Sequence, residues 1–299
     1  MVTSNFAEKV ATALLDKRGN YGGSDGAFAR SLGISPSIYT RIKKGERENL
    51  ISDAKWIELG RKFGVSNRQS DWVAVETDVF RKIKEEILLC KEFGLSRIFV
   101  DNCGIGKTFT AKYLARSEKN IFYIDCTQCP RKNAFVKALA RAVGVETKGK
   151  IDDIKDNTKY YLSILENPIV IIDEAGALDK DALGLVQEYW NATDENMCGW
   201  YLMGANALRN KIERGVSNER DYFAELFSRY SEKFSRIVPV DETDKKIFYQ
   251  KLIRDVIAAN IKDKTQLNTM VNRCLVIDEK TGTISGLRRA KSLLMLNNA

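Results

Sequence analysis

The run Asp101-Asn102-Cys103-Gly104-Ile105-Gly106-Lys107-Thr108 combines two glycines, a lysine and a hydroxyl where an apolar segment gives way to a helical pattern. That context suits a phosphate-binding loop. Gly104 and Gly106 let the backbone curl until its N–H groups converge, the next helix adds the positive end of its dipole, and Lys107 reaches the terminal phosphates. Thr108 would hold Mg²⁺ through its hydroxyl, and Asn102, Cys103, Ile105 and Phe109 supply the rest of the cradle. The first position departs from the usual glycine: Asp101 is a carboxylate close to where phosphates belong, tolerated if its side chain turns outward. A glycine-containing turn that merely starts a helix is the bland alternative, and a second motif argues against it. Pro168-Ile169-Val170-Ile171-Ile172-Asp173-Glu174 reads as a buried strand ending in two acids. Asp173 would act through the Mg²⁺ shell, and Glu174 would orient the water that attacks the γ-phosphate of ATP. Both motifs fall at the C-terminal end of a strand, where ligands of open α/β sheets gather. The acid pair, without an acceptor-site signature, favours hydrolysis over phosphoryl transfer.

The elements that must position these residues are legible as alternating patterns. An amphipathic helix over 78–93 leads into short apolar runs at 97–100, 121–124, 169–172, 200–203 and 237–240, with helical segments between them. Such alternation predicts an α/β fold, a parallel sheet covered by helices on both faces. Beyond 240 only helical periodicity remains, over 242–259, 264–275 and 284–296. At the other end, 4–17 and 24–64 read as short helices broken at glycines, and 64–72 is polar without periodicity. The expected organisation is a small all-α domain at 1–66, a linker at 67–75, an ATPase core at 76–240 and a helical lid at 241–299.

Bulk properties narrow the chemistry further. Hydrophobic residues make up 44% and charged residues 29% of the 299, with four prolines, the composition of a globular protein. The chain has no histidine, which excludes imidazole-based nucleophilic schemes. Its six cysteines form no disulfide framework, and Cys126 and Cys129 stand without a second pair, so zinc is not expected and ordinary thiols are. No signal peptide or membrane span is apparent, which implies a cytoplasmic protein with no membrane partner. The net charge of +8 resides at the two ends: residues 1–66 and 241–299 each hold eleven Lys/Arg against seven Asp/Glu. That distribution fits a polyanionic partner, although solubilising lysines produce it too.

On the phosphate loop, the acid-ended strand and three further segments, the chain resembles the AAA+ family, and within it the transposition ATPases typified by phage Mu B and its TnsC-like and IstB-like relatives. The resemblance implies a P-loop AAA+ ATPase core with a helical lid. It also implies that Asn206, after 200–203 and Gly204-Ala205, is the sensor contacting the γ-phosphate or the water. In Leu226-Phe227-Ser228-Arg229-Tyr230 it makes Arg229 the arginine finger that reaches a neighbouring subunit's nucleotide, with Arg236, just before the last expected strand, as the alternative. In Ser285-Gly286-Leu287-Arg288-Arg289 it makes Arg288, in preference to Arg289, the lid arginine that closes over the phosphates. A finger acting between subunits requires a homo-oligomer, a ring or a helical filament.

Residues 24–44 resemble the helix-turn-helix of phage repressors. Ala29 is small where two helices cross, Gly33 permits the turn, Ser35 caps the second helix ahead of Pro36, and Ile38 and Ile42 face the core. Ser37, Thr40, Arg41 and Lys44 then face outward, toward base edges and phosphates of double-stranded DNA. The Mu B resemblance adds Arg131, Lys132, Lys148 and Lys150 as DNA contacts along the ATPase assembly. The implied function is ATP-dependent assembly on target DNA and its delivery to a transposase. A helicase loader or replication initiator, and a nucleotide-sensing DNA-binding regulator without useful turnover, are the alternatives.

Overall fold

The fold was read from a computed structural model that describes residues 2–19, 21, 24–65, 72–193, 197–220, 222–275 and 286–297. The chain divides into two compact units, one of residues 1–70 with 136–165 and one of 71–135 with 166–299.

The first unit opens with four helices, α1 (Ser4–Arg18), α2 (Asp25–Ser31), α3 (Pro36–Lys43) and α4 (Asp53–Phe63). Each starts on a hydroxyl: Thr3, Ser24, Ser35 and Ser52 accept the N–H three residues on, satisfying a donor that the helix itself leaves unpaired. Val10, Leu14, Phe28, Ala29, Tyr39, Ile42, Trp56 and Leu59 form their common core. On α3 the fully buried pair is Tyr39 and Ile42, while the expected Ile38 is only partly buried. The Tyr39 ring takes the inner position because it meets Phe28 edge-on at 5.7 Å.

In the second unit α5 (Asp78–Phe93) is capped by Thr77 and closed by left-handed Gly94. It is followed by β1 (Ser96–Val100), α6 (Lys107–Ser117), β2 (Ile121–Asp125) and α7 (Lys132–Val143), which runs on into the first unit and is succeeded there by α8 (Ile151–Ser163). Then come β3 (Ile169–Asp173), α9 (Lys180–Thr193), β4 (Gly199–Gly204), α10 (Asn206–Ser217), α11 (Phe223–Arg229) and β5 (Phe234–Ser235). Three helices, α12 (Glu242–Asn260), α13 (Leu267–Cys274) and α14 (Leu287–Asn297), end the chain.

The five strands form one parallel sheet in the order β2-β3-β4-β1-β5. All five residues of β3 and all six of β4 are buried, as expected of parallel strands covered on both faces. Ile83, Ile87, Phe99, Leu114, Ile171 and Met203 share a core with Tyr249, Leu252, Ile253, Met270 and Leu294, so α12–α14 pack into the same apolar mass as the sheet.

Four strands lie where the apolar runs predict them. The fifth does not: pairing with β1 covers only Phe234 and Ser235, and 237–240 is not a strand. The N–H groups of Ile237 and Val238 are taken instead by the Asp101 carboxylate, at 2.6 and 2.9 Å, which withdraws them from any ladder. Arg236 accordingly follows the last strand rather than preceding it. Among the described residues no helix is long and apolar enough to cross a membrane.

Candidate functional site

Between Val100 and Lys107 the backbone turns through two left-handed glycines, Gly104 at φ 76° and Gly106 at φ 107°. Gly106 is the N-cap of α6 and offers no side chain to its free N–H groups, so these remain available to an anion. Lys107, only 7% exposed, folds back and donates from Nζ to the carbonyls of Asp101 and Asn102, each at 2.7 Å. Burial pushes its ammonium below the usual lysine range, and Cys103, Asp101, Glu174 and Asp173 oppose that shift. Both strand-end acids leave the same edge of the parallel sheet as the loop lysine. Ile105 is buried, Asn102, Thr108 and Gly104 are half-buried, and Cys103 is exposed. Phe109 is also exposed and stacks on Tyr113, ring centroids 6.4 Å apart.

The Asp101 side chain is buried rather than solvent-facing, and one of its oxygens is directed to residues 237 and 238. Besides the two N–H groups of 237–238, it accepts the N–H of Asn102 at 2.8 Å.

Sheet order sets the rest of the site. β4 lies between β1 and β3, so the chain leaving β4 emerges between the loop and the acids. Asp173, at the end of β3 and 1% exposed, accepts the Tyr123 hydroxyl at 2.9 Å and the Glu174 N–H at 3.0 Å. Burial and the Asp173 charge push the Tyr123 phenol up, which keeps it a donor. Glu174 is half-buried with φ 51° and ψ 40°, a left-handed conformation that is costly for a residue with a Cβ. The turn it opens is pressed against α10: a Cβ on Gly176 would lie 2.9 Å from the Leu208 nitrogen. Lys211 fastens it, donating to the carbonyls of Gly176 and Leu178, both at 2.5 Å. Asn206, exposed, is the first residue of α10 and stands beside this turn.

The arginines fall in three places. Arg229 closes α11, donates to Asn191 at 3.0 Å and lies over the Trp190 ring at 5.0 Å. Trp190 in turn donates to Ser96, the first residue of β1, so Arg229 is beside the sheet edge opposite the phosphate loop. Arg236 is on the loop's own edge, bonded to the Val238 carbonyl. Arg288, in the first turn of α14, is exposed, as is Arg289, which donates to the Arg273 carbonyl on α13 at 2.9 Å. The start of α14 rests on the phosphate loop: the Leu287 N–H donates to the Gly104 carbonyl at 2.8 Å, and a Cβ on Gly286 would strike that oxygen at 2.6 Å. Ser285 lies outside the described residues.

In the first unit Ser37, Thr40, Arg41 and Lys44 are all exposed along α3 and its C-cap, with Arg41 paired to Glu46 at 2.7 Å. Lys148 and Lys150 are exposed in the connection between α7 and α8; Arg131 and Lys132, also exposed, belong to the second unit. Cys126 and Cys129 are both buried in the turn after β2. The Cys126 thiol is pushed up by its hydrogen bond with Cys129 and by burial, which suits unreactive thiols.

Several partners here have no signature in the sequence: Tyr123 on Asp173, Lys211 on the Glu174 turn, and the acceptor role of Asp101. Each joins residues far apart in the chain through a contact that only the assembled sheet creates.

Residues 102–212 match the family model described as an AAA domain. The match spans the phosphate loop, the acid pair and Asn206, and with the parallel sheet it supports a nucleotide-binding P-loop ATPase of the AAA+ kind. No curated protein matches the chain.

Proposed function

We propose that this chain hydrolyses ATP, assembles on duplex DNA while ATP is bound, presents that DNA to a transposase, and disassembles on hydrolysis. The observation that carries the nucleotide part is that the loop bearing Lys107 and the acids Asp173 and Glu174 leave one edge of the parallel sheet, the loop built on two left-handed glycines and an uncapped helix start. Thr108 and Asp173 would hold Mg²⁺: a hydroxyl, one carboxylate and phosphate oxygens form a donor set that this ion accepts. When bound, the ion neutralises charge on the phosphates. Glu174 takes the proton side of the reaction, orienting a water for attack on the γ-phosphorus, with ADP and inorganic phosphate as products. Asn206 emerges beside it to contact the γ-phosphate or that water, Arg288 closes from the lid, and Arg229 serves the neighbouring subunit.

The DNA part is supported by the exposed row Ser37, Thr40, Arg41 and Lys44 on a Ser-capped helix, which reads as the second helix of a helix-turn-helix, and by the basic ends of the chain. Arg131, Lys132, Lys148 and Lys150 are proposed as further backbone contacts. Delivery to a transposase rests on the sequence resemblance alone.

The test is sedimentation with long duplex DNA of unrelated sequences, in ATP, ADP or no nucleotide, at two salt concentrations. Co-assembly only with ATP, weakening with salt by a log–log slope of about −0.9 per phosphate contact, is expected. Binding to one particular site regardless of nucleotide would replace this reading with that of a regulator.

A further inference from the structure

The residue that breaks the phosphate-loop pattern is the one that fastens the loop. Asp101 Oδ2 accepts from the N–H groups of Ile237 and Val238 at 2.6 and 2.9 Å, and Oδ1 accepts the N–H of Asn102 at 2.8 Å. A glycine at this position could make none of these bonds. Residues 237–238 lead from β5 to Asp241, the N-cap of α12, so the carboxylate grips the chain where it enters the C-terminal helices. Two more bonds join the same loop to those helices: Asn102 Nδ2 donates to the Tyr249 hydroxyl at 3.1 Å, and the Leu287 N–H donates to the Gly104 carbonyl at 2.8 Å. The loop is therefore held at both ends of the helical segment, through α12 and through α14.

The geometry points to Asp101 as a positioning residue for nucleotide binding, which ties the phosphate loop to the start of the C-terminal helices so that loop and helices close on the nucleotide as one piece. The inference rests on the proposed nucleotide site. Three N–H donors hold the carboxylate and disperse its charge, which is how an acid is accommodated beside phosphates. Replacing it by the customary glycine leaves the buried Val238 N–H without its acceptor and frees the loop's first turn. Restoring the family pattern is thus expected to harm binding.

The experiment titrates a fluorescent ATP analogue into the full chain at a temperature where all variants are folded, and follows amide exchange at 237 and 238. Lys107→Ala serves as the control for the site itself. Asp101→Gly is expected to weaken binding about tenfold, the size of one of the three hydrogen bonds it loses, the rest of the loss falling on stability, and to speed exchange at both amides. Asp101→Asn, which keeps one acceptor oxygen, is expected to fall between. A strut with no role in binding would lower the melting temperature and leave affinity unchanged, and that result overturns the inference, as does tighter binding by Asp101→Gly. If Asp101→Gly does not fold, Asp101→Asn decides: wild-type affinity overturns the inference, and weaker binding with faster exchange bears it out. A wild-type chain that binds no ATP overturns the proposed function and this inference together. Wild-type binding lost in Lys107→Ala but unaltered in Asp101→Gly overturns this inference only.

Discussion

Glu174 carries its carboxylate on a backbone at φ 51°, ψ 40°, where a residue with a Cβ costs on the order of 1 kcal/mol. The strain aims the side chain proposed to orient water, and it can be separated from the chemistry. Glu174→Gly is expected to stabilise the protein by about 1 kcal/mol, raising the melting temperature by roughly 2–4 °C, while abolishing ATP turnover. Glu174→Gln retains the strain and is expected to melt as the wild type does, with turnover reduced by at least about 100-fold. Melting curves and a phosphate-release assay on the two variants check both statements; a Glu174→Gly chain less stable than wild type would mean that the surrounding turn needs the side chain. The acid pair is legible in the sequence because a buried strand ending in Asp173-Glu174 is a local pattern. The sign of φ at Glu174 and the Tyr123 hydroxyl on Asp173 are not, since both arise only when β2 and β3 pair and α10 presses on the turn.

Among the elements, α10 connects the proposed γ-phosphate sensor with the proposed water-orienting acid. Asn206 begins it, and one turn later Lys211 holds the carbonyls of Gly176 and Leu178 just past Glu174. Lys211→Met keeps the aliphatic stem and removes the donors. The expected outcome is ATP affinity within about twofold of wild type, with turnover falling about tenfold as the Glu174 turn loosens. Steady-state kinetics alongside direct binding measurements test it, and unchanged turnover would show the clamp to be idle. Elements announced by a local pattern are well foretold: the capped helices of the first unit and the continuous apolar runs at 121–124, 169–172 and 200–203 appear where that pattern places them, although the strands' hydrogen-bond partners lie far along the chain. The run at 237–240 fails as a strand because its apolar alternation says nothing of a distant carboxylate competing for the amides. For the same reason Arg236 shifts from one end of the sheet to the other.

For the molecule as a whole, the two ends of β1 separate two chemistries. Arg229 is grouped with Trp190 and Ser96 at the start of that strand, and the phosphate loop leaves its other end, about 13 Å away for a strand of this length. As the finger proposed above, a guanidinium so placed could reach a nucleotide only in another copy of the chain. Lys107→Ala and Arg229→Ala, each expected to be inactive alone, should therefore regain part of the ATPase activity when mixed on DNA, because the first supplies the finger and the second the site. Failure of mixtures at any ratio, with both variants still assembling, would remove Arg229 from the reaction. The sheet order has a further consequence as a measure of length. Neighbouring strands lie about 4.8 Å apart, so the single strand between β1 and β3 spaces the loop from the acids by roughly 10 Å. β4 is thus a ruler set into the sheet: a ligand seated on the loop must extend across one strand's width before the acids at the end of β3 can act on it.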